Sequence, residues 1–339
     1  MVRIALLLVA GLLPAAFSRP FGGRPAPSLK ESRLLMGTVV SVEIAGLPRE
    51  RREEIFNPLW AEAERLEALF SRYQPESELN RINRSAGLGE VKASPEMVEV
   101  LILAGEASEL SGGAFDATVA PLMEIWGFFP RREGAVPGPE EIEATRRRVD
   151  WRAVEVGRDK GVVNLTRPGV EIDLGGIAKG YIVDRLIDFL KGRGVTDALV
   201  NAGGDIYCLG QRPGGGPWRI GVEDPDRPGQ AVKTLELSDI AVATSGDYQN
   251  YFIHDLRRYG HIMDPRTGRP AESPVEAVTV IAPNCALADA LATAVFVLGE
   301  EEGLKMIEGR KGVEILLILA EGGRLRFRAS SGWPRSGKD

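Results

Sequence analysis

Cysteine and histidine are nearly missing from these 339 residues, with two of each. That scarcity excludes a disulfide scaffold, an all-cysteine zinc site and an iron–sulfur cluster, so any metal here is held mainly by oxygen. An excess of basic charge is missing too: 42 Lys and Arg stand against 48 Asp and Glu, a formal net charge of −6. Nonspecific nucleic-acid binding rests on phosphate neutralisation by a basic surface, so no nucleic-acid partner is expected. The N-terminal apolar run is too short for a comfortable membrane span, which takes about 20 residues. Low complexity is absent as well. The 40 Gly and 22 Pro imply many turns, while 44% hydrophobic and 27% charged residues fit a globular chain rather than a disordered one. The length suits two domains or one large one.

Met1-Val2-Arg3 precedes an apolar stretch from Ile4 to Leu13, then Pro14, Ala15, Ala16, Phe17 and Ser18. One positive charge, a short hydrophobic run and small residues at Ala16 and Ser18 read as a secretory signal over residues 1–18, with an uncleaved anchor as the alternative. No cysteine follows this run, so a lipid-modified N-terminus is not expected. Residues 19–32, rich in Pro, Gly and basic side chains, read as a flexible tether, 33–328 as the folded domain, and 329–339 as a flexible tail. The mature protein is expected to be exported, periplasmic or on the outer face of the cytoplasmic membrane. Cys208 and Cys285 each sit in an apolar stretch and read as buried thiols rather than a bridged pair.

Val39–Ile44 alternates apolar and polar residues, the period of a half-buried strand. Apolar residues recur at helical spacing from Glu53 to Tyr73, where Pro58 is expected to split the segment. Ser94-Pro95-Glu96 reads as an N-cap, an N1 proline and an early acid opening a helix that stops at Gly112-Gly113. Pro130 to Arg148 reads as a polar connector whose charge runs face solvent. Strands are expected at Ala153–Val156, Val162–Leu165, Ala198–Asn201, Trp218–Val222, Thr234–Leu237, Ile240–Ala243, Val275–Ile281, Val313–Leu319 and Arg324–Phe327. Helices are expected at Ile177–Lys191, Ala286–Leu298 and Glu301–Ile307. Without a steady βαβ rhythm this mixture predicts an α+β fold rather than a doubly wound parallel sheet.

Several stretches can carry chemistry, and each has a plain structural reading beside it. In Asp173-Leu174-Gly175-Gly176-Ile177-Ala178-Lys179-Gly180-Tyr181, two glycines before an amphipathic helix let backbone amides approach an anion, and Lys179 could pair with a phosphate. The same stretch could be a glycine turn packing a helix on a sheet. Asp289 and Thr293, four residues apart, share one helix face and suit Mg²⁺. Alternatively, Asp289 simply favours the helix dipole. His261, in a turn with Asp264, is a proton-transfer candidate or a structural histidine, and His254 looks like a surface residue. Gly113-Ala114-Phe115-Asp116 could present Phe115 for stacking and Asp116 for hydrogen bonding, or be a helix stop. Ser245-Gly246-Asp247-Tyr248 is equally open.

Taken together and in order, Leu35-Met36-Gly37-Thr38, Phe70-Ser71-Arg72-Tyr73, Gly113-Ala114-Phe115-Asp116, Asp173 through Gly180, Asn201-Ala202-Gly203-Gly204-Asp205, Ala243 through Tyr248, His261-Ile262-Met263-Asp264-Pro265 and Ala288 through Thr293 resemble the ApbE family, whose members are FAD:protein FMN transferases. The resemblance runs from Leu34 to Leu298. It implies a mixed, largely antiparallel sheet with flanking helices, related to the T-fold, with FAD as substrate and Mg²⁺ at its pyrophosphate. By motif, Met36, Tyr73, Ala114, Phe115, Asp116, Asp173, Lys179 and Ile262 would line the FAD site. Asp289, Thr293 and the backbone carbonyl of Gly176 would hold the metal. Many members place a second acidic residue where this chain has Ala292, and the lipid-anchor cysteine is missing.

The implied reaction is attack of an acceptor Ser or Thr hydroxyl on the FMN-side phosphorus of FAD, with AMP leaving. His261 is the expected base, with Asp264 as the alternative. Family acceptors resemble Asp-Gly/Ala-x-Ser/Thr-Gly/Ser-Ala-Thr. The nearest stretch here, Asp289 to Thr293, has Ala292 where the modified hydroxyl would stand, so self-modification is not expected. The acceptor is expected to be another exported or membrane-bound redox protein, such as a subunit of a sodium-pumping NADH:quinone reductase or Rnf-type complex, with association at the membrane surface. Two other activities compete: an FAD pyrophosphatase giving FMN and AMP, and a non-enzymatic flavin carrier.

Overall fold

The computed structural model describes residues 28–129, 136–246 and 250–334. The expected signal over 1–18 lies outside them, as do Asp247 and Tyr248. Eight strands form one sheet: β1 (Ser28–Leu35), β2 (Thr38–Ala45), β3 (Ala198–Ala202), β4 (Asp205–Leu209), β5 (Ile240–Gly246), β6 (Val275–Ala282), β7 (Glu314–Glu321) and β8 (Arg324–Ala329). Their spatial order is their chain order and every neighbouring pair is antiparallel, so the sheet is a meander into which other elements are inserted. This is the α+β architecture expected, with strands that pair locally and need no crossover.

The two faces are covered differently because strand residues alternate. Ala241 and Ala243 face the helices, while Val242 faces away. The helical layer contains α1 (Arg52–Phe70), α2 (Pro95–Leu110), α3 (Ala178–Lys191) and α4 (Cys285–Ile307). On the opposite face a hairpin, Trp218–Asp224 with Arg227–Leu237, lays Trp218, Ile220, Val222, Leu235 and Leu237 on Ile206, Val242, Ile281 and Ile318. Among the described residues no helix is long and apolar enough to cross a membrane.

Several expectations need correction. Ser28–Ser32 belong to β1, so the tether cannot extend to residue 32. The tail expected at 329–339 begins inside β8, and its Ser330 and Trp333 are buried. The Ser330 hydroxyl accepts the Ile315 N–H at 2.9 Å, and Trp333 packs in the second core. Pro58 does not split α1, because Ile55, Phe56, Leu59 and Trp60 are all buried across it and packing outweighs one lost hydrogen bond. The connector from Pro130 to Arg148 contains a helix at Pro139–Arg146. The two helices expected at Ala286–Leu298 and Glu301–Ile307 need no correction: both are there within α4, parted at Gly299, whose φ of 79° no helical residue adopts. Cys208 and Cys285 are free and buried, and burial pushes both thiols up, Cys208 to about 12.

Candidate active site

The site is built where the N-terminus of α3 meets α4. Gly180 is the third residue of α3, one of the positions whose amide a helix leaves without an internal partner. That N–H donates to Asp289 Oδ2 at 3.2 Å. The approach depends on the missing side chain, since a Cβ on Gly180 would lie 2.3 Å from the Cys285 carbonyl oxygen. Gly176, just before α3, is also confined, though less tightly. A Cβ there would stand 3.2 Å from Thr293 Oγ1 and 3.2 Å from the Phe115 ring. Thr293 Oγ1 is 3.3 Å from Ser245 Oγ at the end of β5. Phe115, Gly176, Lys179, Asp289 and Thr293 therefore converge, although the chain brings them from three distant segments.

The electrostatics are dominated by one ammonium between two buried carboxylates. Lys179 Nζ is 3.2 and 3.4 Å from the Asp289 oxygens and 2.7 Å from Asp205 Oδ2. Burial pulls the Lys179 pKa down, but Asp205 and Asp289 outweigh it and hold the amine charged. Burial, then the neighbouring Asp289, push the Asp205 carboxyl above the usual carboxylate range against the pull of Lys179. Lys179 thus has carboxylate partners, which the expectation of a simple phosphate cation did not include. Asp205 follows a two-residue turn in which Gly203 and Gly204 both have positive φ, as a type I′ hairpin requires.

A divalent cation fits this arrangement. Among the described residues no group of three or more His, Cys, Asp or Glu side chains is placed to hold a metal. The donors that the resemblance implies, the Asp289 carboxylate, the Thr293 hydroxyl and the Gly176 carbonyl, would make an all-oxygen set of the kind Mg²⁺ takes. The Lys179 ammonium beside both Asp289 oxygens shows that this position already draws positive charge. Ala292 is fully buried and offers no donor.

The remaining residues expected around FAD come from several separate segments. Met36 takes a left-handed φ of 53° in the β1–β2 turn, rare for a non-glycine residue, and its N–H donates to Glu67 Oε1 at 2.7 Å. Tyr73 is 78% exposed, its ring 5.0 Å from that of Phe129. Ala114 and Phe115 are buried. Asp116 is buried too, and burial raises its pKa against hydrogen bonds from the Thr118 N–H and hydroxyl and the Trp151 N–H. Those bonds make Asp116 a brace for its own loop. Asp173 joins this loop to α3: its N–H donates to Ala117 O at 2.7 Å and its Oδ1 accepts from Gly175 N–H at 2.7 Å. Its Oδ2 lies 3.6 Å from Arg72, a buried guanidinium stacked 4.1 Å over Phe129.

His261 and buried Ile262 stand on a separate segment, after the hairpin Tyr251–His254 with Arg257–Gly260. His261 Nδ1 is 3.1 Å from the Asn250 carbonyl oxygen, which also accepts the His261 backbone N–H. Asp264 is differently employed. Both its oxygens accept from Arg266, at 3.0 Å each, so its carboxylate closes a turn and does not suit the alternative role of base. His254 is exposed, as expected. Sequence reasoning assigned no role to Asp205, Asp184, Glu67 or Ser245. The signals present were the stretches Asn201 to Asp205, with its glycine pair, and Ala243 to Tyr248, which carry part of the resemblance without a role for Asp205 or Ser245.

The profile of the ApbE family matches residues 36–317. The chain is 34% identical over 315 residues to the FAD:protein FMN transferase of Vibrio cholerae serotype O1, spanning 91% of this chain and 92% of that one. The solved structure of the flavin transferase ApbE from Vibrio cholerae superposes with a TM-score of 0.83 at 33% identity, covering 91% of this chain and 98% of that one. The apo form of the Pseudomonas stutzeri flavinyl transferase ApbE gives a TM-score of 0.82 at 33% identity, over 92% and 97% of the two chains.

Proposed function

The chain belongs to the ApbE family, and from that premise we propose that it is a transferase that moves the FMN half of FAD onto a Ser or Thr hydroxyl of an acceptor protein. The observation that carries this reading is the meeting of Asp289, Thr293 and Gly176 at the N-terminus of α3. The positive end of the α3 dipole at this meeting point favours phosphate oxygens, although the Ala178 and Gly180 amides themselves are held by Leu174 O and Asp289. Mg²⁺ held by Asp289, Thr293 and the Gly176 carbonyl would supply charge neutralisation at the pyrophosphate.

The protein's own part is positioning and proton transfer. The acceptor oxygen bonds to the FMN-side phosphorus, the bond from that phosphorus to the AMP phosphate oxygen breaks, and the hydroxyl proton goes to a base. In neutral His261, an Nδ1–H donated to Asn250 O leaves the basic lone pair on Nε2. Phe115 supplies an aromatic wall beside Gly176. Catalysis belongs outside the cytoplasm in this reading, on an exported or membrane-bound redox protein.

The test is incubation of the purified mature chain with FAD, with and without Mg²⁺ and an acceptor domain carrying the expected motif. The intact mass of the acceptor and free AMP are both read. An FMN adduct formed only with Mg²⁺, with stoichiometric AMP, is expected. AMP without adduct in the presence of the true acceptor would replace the transferase by a pyrophosphatase, and uncleaved bound FAD would leave a carrier.

A further inference from the structure

Lys179 stands where it obstructs. Its ammonium lies against both oxygens of Asp289, the carboxylate assigned to the cation, so a divalent ion and the ammonium cannot share that position without strong like-charge repulsion. The lysine has a second partner within reach. Asp205 Oδ2 is 2.7 Å from Nζ, yet the approach is oblique and that buried oxygen accepts no aligned hydrogen bond. The ammonium is therefore divided between two carboxylates, hydrogen-bonded to Asp289 at 3.2 and 3.4 Å and in unaligned charge contact with Asp205 at 2.7 Å.

The two anchors differ in stiffness. Asp205 is fixed by the Gly203–Gly204 turn, by its pairing with Ala202 and by the Asn201 side chain, whose Oδ1 accepts the Gly204 N–H at 2.9 Å. Lys179 is a long unbranched side chain at the start of α3, free of any turn constraint of its own. The element that yields is the lysine, and the direction in which it yields is toward Asp205.

We propose that Asp205 is a positioning residue that draws Lys179 off Asp289 and so opens that carboxylate to a divalent cation, an inference that rests on the cation site of the preceding reading. Asp205 acts through the lysine and is not itself a donor to the metal. The cluster then has two arrangements: ammonium across both carboxylates without the divalent ion, and ammonium on Asp205 with it.

Binding of Mn²⁺ to the whole chain, with and without FAD, measured by electron paramagnetic resonance and by calorimetry, tests this without turnover. Asp205→Asn should weaken Mn²⁺ binding by about tenfold or more, in the range seen when a partner that orients a metal site is lost. Combining Asp205→Asn with Lys179→Met should restore wild-type affinity, because the competitor is gone. A double variant as weak as Asp205→Asn alone would show that Asp205 touches the metal and would overturn the proposal. So would wild-type affinity in Asp205→Asn. Circular dichroism checks folding. If Asp205→Asn does not fold, Lys179→Met decides, with binding at least as tight as wild type expected and weaker binding refuting. Wild-type protein that takes up no Mn²⁺ even with FAD would refute the cation site itself, a different failure from the others.

Discussion

Gly180 sets the separation of α3 and α4, so the consequence of Gly180→Ala can be worked out from the contacts. The added methyl would lie 2.3 Å from the Cys285 carbonyl oxygen, 2.6 Å from its carbonyl carbon and 2.9 Å from Ala286 Cα. All three are backbone atoms, so no side chain can swing away. Restoring an ordinary contact near 3.4 Å moves the helices apart by about 1 Å. Alanine in a helix gains at most about 1 kcal/mol over glycine. Overpacking costs about 1–3 kcal/mol. The Gly180–Asp289 hydrogen bond, already 3.2 Å long, would be lost, at about 1 kcal/mol more. The sum is a net destabilisation of about 1–3 kcal/mol, read as a lower urea midpoint at unchanged slope. The same shift displaces Asp289 from the α3 N-terminus, so affinity for Mn²⁺ should fall with stability. A variant with the wild-type midpoint and undiminished Mn²⁺ affinity would refute both the contact argument and the assignment of this junction as the cation site.

His261→Ala should slow transfer by about 10²–10⁴-fold, the usual share of a general base, while FAD affinity measured by flavin fluorescence stays unchanged. Equal turnover in variant and wild type would remove His261 from the chemistry. The second expectation concerns pH. Burial holds the Asp184 carboxyl up to about 7 against an ordinary 3.8, so between those values the folded chain keeps a proton that the unfolded chain has released. Its contribution to stability is complete below the lower value and is lost as pH rises through the upper one. The stability of wild type relative to Asp184→Asn should therefore fall from pH 4 to pH 8 in denaturant titrations, and a constant difference would contradict the assignment.

What could be read from the residues depended on whether the signal was local. The cap Ser94-Pro95-Glu96 opened α2 where expected, because an N-cap, a proline and an acid act within one turn. Strands with one wet face, such as β2, showed their alternation. β1 and β4 were missed for opposite reasons. β1 is an edge strand whose inner face carries Glu31 and Arg33 between Leu29 and Leu35, and β4 is buried at all five positions, so neither alternates apolar with polar residues. The expected tail failed similarly, since Trp333 is held by strands that are remote from it in sequence. Within the site, the four-residue spacing of Asp289 and Thr293 and the glycine turn at Gly176 were visible but each admitted a plain structural reading, and their roles came only from the family resemblance. Asp205 was assigned no role. Its relation to Lys179 exists only after the β3–β4 hairpin has brought it against α3.

The helix junction also explains why stability and the site are linked unevenly. Each helix supplies an acid to the other's N-terminus. Asp184 of α3 accepts the Cys285 and Ala286 amides of α4 at 2.7 and 2.8 Å, and Asn284 covers the Leu287 amide. In return Asp289 of α4 accepts the Gly180 amide of α3. Such caps satisfy amides that a buried helix end would otherwise strand. The exchange is not symmetric in function. Asp184 does nothing but cap, so changing it loosens the junction and leaves every proposed cation donor in place. Asp289 both caps and is offered to the cation, so changing it removes a donor and a cap together. A loss of activity in an Asp289 variant therefore speaks for metal chemistry only beyond the loss that an equally destabilised Asp184 variant shows.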